Sequence, residues 1–405
     1  MADPVPHLLL GFVVFIASLA FTAAPRLLAD MSDEAIIRRV TEAPVTERNM
    51  TVGRDGTIVS GVPGNEFSAV EDVGRAFREN NLPDSLRGLI VTESYVADAP
   101  AFLVEPWPDQ EDPGFSTFVK FRYQQDVADH ITLVSGSLPA AREPVEVVFE
   151  DDEVVPLPVT ELAVTAETLE ALGVERGDQI LVRPDVDDPR VAGIPPSELP
   201  MRVLEISGII QPVDPDAEYW NRDISLDHPR EVFTADFDPL FVFTTGLIDP
   251  STYRQLLREM SHASWTYRWR YAIDPSLVTA EKAERLAEDL RSMETSYRPL
   301  SVALSLEFGF STGLSDLIDA FLERRAATIS MLSLISAGLL SVVLAIASLL
   351  AALAAHGRQT ESALLRGRGA SVAQLALTRG VEGALLAAPT AVLGFLTASY
   401  LVPLG

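Results

Sequence analysis

The feature that most constrains this chain is the stretch from Ala326 to Ala355, which has no charged side chain. A helix needs only about 20 apolar residues to cross a ~30 Å hydrocarbon core, so the stretch predicts a transmembrane helix with residues to spare for tilt. A second apolar run, from about Val381 to Leu404, carries one acid, Glu382, and one proline, Pro389. Proline is tolerated in a membrane helix because neighbouring helices can satisfy the freed carbonyl. Both runs hold small residues four apart: Ala347, Ala351 and Ala355 on one, Gly380, Ala384 and Ala388 on the other. Such rows let helix backbones approach closely, and they are equally what any alanine-rich span displays.

A third apolar run, His7 to Ala24, opens the chain. It resembles a signal peptide in its apolar core and its small residues near Ala24, but it lacks the basic segment that should precede that core. The helical pattern also continues beyond it. Leu27, Leu28, Met31, Ala35, Ile36 and Val40 recur at helical spacing, which predicts a span extended by an amphipathic stalk that ends at Pro44. The predicted division is a first span over 1–25, a stalk over 26–45, a polar domain over 46–307, a return stalk over 308–325, a second span over 326–355, a loop over 356–379 and a third span over 380–405.

The apolar fraction, 47%, is ordinary because the polar region dilutes the spans, and the net charge is −27. Such an acidic excess excludes nucleic acid as a partner, since phosphates demand basic surface, and argues against docking of the polar region on an anionic membrane face. The chain has no cysteine, which removes disulfides and thiolate chemistry.

Residues 46–307 read as one large α+β domain, its discontinuous order of elements pointing to two intertwined lobes. β-Branched and aromatic runs predict strands at "MTVG", "TIVSG", "GLIVTES", "AFLVEP", "FVKFRY", "VEVVF", "LAVT", "QILVRP", "MRVLEISGIIQP", "PLFVFTT" and "YRWRYAI". Helices are expected over Ala69–Asn80, Thr165–Leu172, Pro250–Met260 and Thr279–Met293, the last capped by Thr279. The connection between the second and third spans carries Arg358, Arg366, Arg368 and Arg379 against Glu361. Short arginine-rich loops stay in the cytoplasm, which puts the polar domain outside. Arg324 and Arg325, at the outer end of the second span, run against that count.

Chemical motifs are few. "GFSTG", Gly309 to Gly313, matches the G-x-S-x-G elbow of serine hydrolases, but the one histidine downstream, His356, falls beyond the second span, and helix capping within Ser311–Ser315 is the preferred role. There is no G-x-x-x-x-G-K-[ST] loop, and the five histidines are scattered without ligand spacing. Asp214, Asp216 and Glu218 alternate as in a calcium loop, but Tyr219 stands where the sharp turn needs glycine. Trp265, Tyr267, Trp269 and Tyr271 alternate with Arg268 and Arg270, predicting a strand with one aromatic and one basic face. Packing of the aromatics into the core is preferred over a ligand platform.

The strongest functional signal is the arginine-rich loop. "TESALLRGRGAS" offers about two helical turns with an apolar knob, Ala363, Leu364 and Leu365. The segment "RQTESALLRGRGASVAQLALTRGVEGALLAAPTAVLG" resembles the cytoplasmic loop and following span of FtsX/MacB-like ABC transporter permeases, in which an E-x-x-L-L-R-x-x-G-A-S pattern forms the helix that touches the ATPase. Glu361, Leu364, Leu365, Arg366, Gly369, Ala370 and Ser371 occupy that pattern, and Glu382 matches an acid common at the start of the next span. Upstream, "LVSGSLPA", "LAVTAETLEALGVERGDQILV" and "LEISGIIQPVDPDAEYW" are similar to the extracytoplasmic domain of large members. The resemblance implies a multi-pass protein of a prokaryotic plasma membrane, with α-helical spans and a large α+β extracytoplasmic domain of the MacB-like periplasmic core type on helical stalks. It implies no catalysis and no cofactor of its own, and an ABC ATPase subunit as partner. The extracytoplasmic partner would be a lipophilic or peptide substrate, or a cell-wall hydrolase to be regulated. Members have at least four spans and three are found here, so the remainder is expected from a longer chain, another subunit or a second copy. The alternative is a membrane-anchored surface receptor or adhesin without ATP coupling.

Overall fold

The computed structural model describes residues 5–57, 65–105, 116–149, 153–199, 201–223, 225–226, 228–233, 239–297, 308–357 and 371–402. The helices among them, apart from single turns, are α1 (Val5–Glu42), α2 (Glu66–Asn80), α3 (Ala166–Leu172), α4 (Pro250–Glu259), α5 (Ala283–Ser296), α6 (Leu314–Gly357) and α7 (Val372–Leu401). The strands are β1 (Met50–Gly56), β2 (Ile90–Glu105), β3 (Ser116–Gln124), β4 (Ile131–Gly136), β5 (Val145–Val148), β6 (Val154–Leu157), β7 (Val159–Val164), β8 (Gln179–Pro184), β9 (Arg202–Pro212), β10 (Arg230–Phe233), β11 (Pro239–Leu247), β12 (Trp265–Ile273) and β13 (Gly309–Ser311). The chain divides into two compact units: Met1–Arg39 with Val278–Glu284 and Ile318–Gly405, and Val40–Leu277 with Arg285–Leu317.

In the first unit, α1, α6 and α7 are each long and apolar enough to cross a membrane. The expected change from span to stalk at residue 25 leaves no break in the backbone, because α1 runs on through Pro25. The third helix begins at Val372, eight residues before the predicted start. Ser371 accepts from the Gln374 amide while the Gln374 side chain accepts from the Ser371 amide, a reciprocal cap that satisfies two donors a helix start would leave unpaired.

Small residues bring α1 and α7 together. The Ser18 hydroxyl donates to the Ala391 carbonyl (2.7 Å) and Arg26 to the Val402 carbonyl (3.1 Å). A Cβ on Gly394 would lie 2.6 Å from the Phe15 carbonyl oxygen. The packed stripe is therefore Ala387, Thr390, Ala391, Gly394 and Ala398, whereas Gly380 and Ala384 of the expected row are exposed. Residues 278–282 form a turn ahead of α5, so Thr279 caps no helix. Asp33 accepts from the Ala280 amide (2.6 Å), Arg325 donates to the Ala280 carbonyl (3.0 Å), and Lys282 closes the turn onto the Thr279 carbonyl. Those bonds take the backbone groups a helix would have used, and α5 starts at Ala283.

Among the described residues the second unit contains one mixed sheet of eleven strands and a separate β5–β6 hairpin. Its main path runs β10-β11-β7-β9-β8-β2-β12-β1-β13; β3 bridges β11 and β2, and β4 pairs with β9. Two pairings, β11–β3 and β7–β9, are parallel and the rest antiparallel. "GLIVTES" and "AFLVEP" fuse into the single strand β2, with a bulge between Asp98 and Ala101 where Pro100 interrupts the ladder. "TIVSG" lies mostly outside the described residues.

The aromatic face of β12 forms the core. Trp265, Tyr267, Trp269 and Tyr271 are at most 1% exposed. Trp269 donates to the Val70 carbonyl of α2, and it leaves no room for a Cβ on Gly74, which would come within 2.3 Å of its indole nitrogen. Tyr253 of α4 stacks on Tyr123 with centroids 4.7 Å apart and meets Trp265 edge-on. The sequence-level preference for a core strand over an aromatic platform is the arrangement found.

Candidate functional site

Because side chains alternate along a strand, burying the aromatics of β12 turns Arg268 and Arg270 to the opposite face. Register places them beside Ser94 and Val96 of β2, which pairs on its other edge with β3. Arg268 lies opposite Val96 and Arg270 opposite Ser94, while Arg122 pairs with Asp98 and Lys120 with Ala101. A sheet face carrying three arginines and a lysine needs counter-charge, since an unpaired buried charge costs several kcal/mol.

Two acids supply most of it. Asp98, 2% exposed, takes a two-pronged bond from Arg122 (2.6 and 2.9 Å), with Arg268 3.2 Å away. Asp223 arrives from the loop after β9 and meets Arg270 (2.6 Å), Arg122 (2.9 Å) and Arg268 (3.5 Å). Burial alone would push the Asp223 carboxyl up, but Arg122, Arg270 and Arg268 hold it far below the usual range. Burial lowers Arg270 to about 10 against the pull of Asp223, which leaves it charged at neutral pH. The loop is pinned by Trp220, 4% exposed in a cluster with Ala163, Ile210, Leu226 and Leu247, and by Tyr219, whose ring stacks on His130 at 3.6 Å. Asn221 and Arg222 both take left-handed backbone conformations, φ 49° and 51°, which disfavour side chains with a Cβ. The loop thus holds mild strain where it delivers Asp223.

The bulge in β2 is closed by a second loop. Asp188 accepts from the Ala101 amide (2.9 Å) and takes a two-pronged bond from Arg190. Arg190 reaches on to the Ala99 carbonyl and the Thr266 hydroxyl, and that hydroxyl donates to Asp55 (2.6 Å). Lys120, opposite the bulge, makes no hydrogen bond or ion pair among the described residues.

Two cavities lie elsewhere in the same unit. One of about 590 Å³ is lined by Glu167, Glu170, His228, Glu231 and the apolar Phe233 and Val242, with His228 Nδ1 2.5 Å from Glu167. The other, about 250 Å³, is lined by Glu71, Arg75, Arg78, Glu93 and Trp269. Burial raises the Glu93 carboxyl, with Arg78 opposing.

Of the coupling residues, Glu361, Ala363, Leu364, Leu365, Arg366, Gly369 and Ala370 lie outside the described residues, and Ser371 is the N-cap of α7. Ser311 ends β13, and the capping hydroxyl next to it is Thr312, which accepts from the Leu314 amide and donates to the Asn49 carbonyl. The calcium-like alternation is spent on other bonds: Glu218 pairs with Arg48 and Asp214 accepts from the Asp216 amide. No cluster of three or more acids or histidines suited to a metal occurs among the described residues. Sequence reasoning missed the Asp98–Arg122–Asp223 network. The "FVKFRY" alternation placed Lys120 and Arg122 on one face, but nothing local marked Asp223 as their partner. No protein-family model matches the chain, and no curated protein matches it.

Proposed function

We propose that this chain is a non-catalytic permease subunit of an ABC transporter of the FtsX/MacB type, coupling a partner ATPase to movement of an extracytoplasmic domain. The carrying observation is the junction between the second and third apolar helices. There the E-x-x-L-L-R-x-x-G-A-S pattern runs directly into a helix whose first turn is fixed by its own last residue, Ser371. A helix anchored that firmly at its start transmits a push at the loop into the membrane rather than fraying. The other support is mechanical. At 1.5 Å per residue the 44 residues of α6 span about 66 Å, roughly twice a ~30 Å hydrocarbon core, so one rigid rod reaches well past the bilayer.

In this reading the sheet domain lies outside the cell, ATP hydrolysis belongs to a separate subunit, and the substrate is a lipophilic or peptide molecule. The test is recovery of an ATPase with the solubilised protein. Substituting Leu364→Asp and Leu365→Asp together abolishes recovery if the loop is the contact, and undiminished recovery sinks the reading. The second reading, a surface receptor, is favoured by the cavity of about 590 Å³ in the sheet domain. It predicts ligand binding and signalling that continue without any ATPase.

A further inference from the structure

The cavity of about 590 Å³ at α3 and β10 carries an unbalanced charge. Glu167 and Glu170 of α3 and Glu231 of β10 line it, and among the described residues no arginine or lysine does so. The Glu167 carboxylate meets His228 Nδ1 at 2.5 Å. Those of Glu170 and Glu231 make no hydrogen bond or ion pair among the described residues. The basic residue of β10 is turned to another use, since the Arg230 guanidinium lies over the Phe243 ring, 4.6 Å from its centroid. The cavity of about 250 Å³ differs, for there Arg75 and Arg78 balance Glu71 and Glu93. An acidic concavity walled by low-dielectric protein concentrates cations.

A second, independent feature of the same cavity is apolar. Val242, 4% exposed, lies at its base, and the aromatic Phe233 stays 48% exposed beside it. A phenyl ring left in water is stabilised by an apolar partner, and its face also attracts positive charge. A volume of about 590 Å³ suits a small molecule.

We propose that this cavity binds a small organic cation, an ammonium group carried on an apolar body. The ammonium sits among the Glu167, Glu170 and Glu231 carboxylates, and the body covers Val242 and the Phe233 ring. The acids and His228 do not form a cluster suited to a metal ion, so a charge spread over a molecule matches them better than a point charge. The assignment rests on the reading of this cavity as a ligand site, and it holds with or without an ATPase.

The test is equilibrium dialysis of the full chain in a neutral detergent against radiolabelled benzyltrimethylammonium, with benzyl alcohol and tetramethylammonium as the uncharged and the bodiless probes. Protein-free micelles give the background. Benzyltrimethylammonium is expected to bind saturably and more tightly than either control. Replacing both unpaired acids, Glu170→Gln with Glu231→Gln, should weaken it about tenfold, and Phe233→Ser should weaken it as well. These side chains are exposed, so the fold survives their replacement. Glu284→Gln with Glu288→Gln, which removes two exposed acids of α5, should leave the affinity unchanged. Equal loss in that control pair, or no loss in the cavity pair, overturns the placement. Benzyl alcohol binding as tightly as the cation keeps the cavity as a ligand site and overturns the ligand class. No saturable binding of any probe removes the proposal together with the ligand-site reading, while ATPase recovery judges the permease reading separately.

Discussion

Asp223 shows how one side chain can organise a surface it is remote from in sequence. Its carboxylate is the shared counter-ion of Arg122, Arg268 and Arg270, and removing one member of such a set leaves the others as uncompensated buried charge. Asp223→Asn keeps the shape and loses the charge, so it is expected to cost about 3–5 kcal/mol at neutral pH. The pH dependence has a definite sign. A carboxyl held below its unfolded value of about 3.9 contributes stability above that pH and loses it on acidification. Wild-type stability should therefore fall as pH drops below about 4, and Asp223→Asn should fall less steeply. Thermal unfolding of the detergent-solubilised chain at pH 7 measures the cost and at pH 4 and pH 2 the slope, and parallel slopes between pH 4 and pH 2 would refute the account. The cost should exceed that at Glu218, more exposed and, among the described residues, paired with Arg48 alone.

At the scale of elements, strands rich in β-branched and aromatic residues were legible. The aromatic alternation of β12 identified the core face because side-chain period and burial coincide there. Shorter strands escaped: β6 contains Pro156 and β10 is the four residues Arg230–Phe233, each too brief to show a period. β2 was read as two strands because the bulge residues Ala99 and Pro100 interrupt its apolar run, yet that interruption admits the Asp188–Arg190 loop. The acids were harder to place. Asp223 and Asp188 sit in proline-bearing polar loops that resemble solvated turns, and only tertiary pairing distinguishes them. Helix contacts were legible in kind but not in phase. Small residues do mediate α1–α7 packing, through Ala391 and Gly394 rather than Gly380 and Ala384, since the facing stripe is set by where the partner helix lies. A cysteine pair replacing Ser18 and Ala391 should cross-link under mild oxidation in membranes. Adding Gly394→Leu, whose side chain collides with the Phe15 carbonyl, should cut the yield severalfold. An unchanged yield would mean that α1 and α7 do not pack through this stripe in the bilayer.

For the molecule as a whole, charge and topology are one question. The excess of 58 acids over 31 bases is concentrated away from the apolar helices, while the loop before α7 is arginine-rich. The positive-inside rule counts arginine and lysine in short loops and gives acids little weight, so the proposed orientation has that loop in the cytoplasm and the sheet domain outside. The absence of native cysteine lets each side be read from a single introduced thiol. Cysteine at Asp216, an exposed loop position, should react with a membrane-impermeant maleimide in intact cells. Cysteine at Arg366 should react only after permeabilisation. The opposite pattern would put the sheet domain in the cytoplasm and the arginine loop outside, where no ATPase could reach it, and the permease reading would fail with its topology. Labelling at both sites in intact cells would equally exclude a cytoplasmic loop. The proposed pattern is the one in which a nucleotide-driven push at the loop has a membrane to cross and a domain on the far side to move.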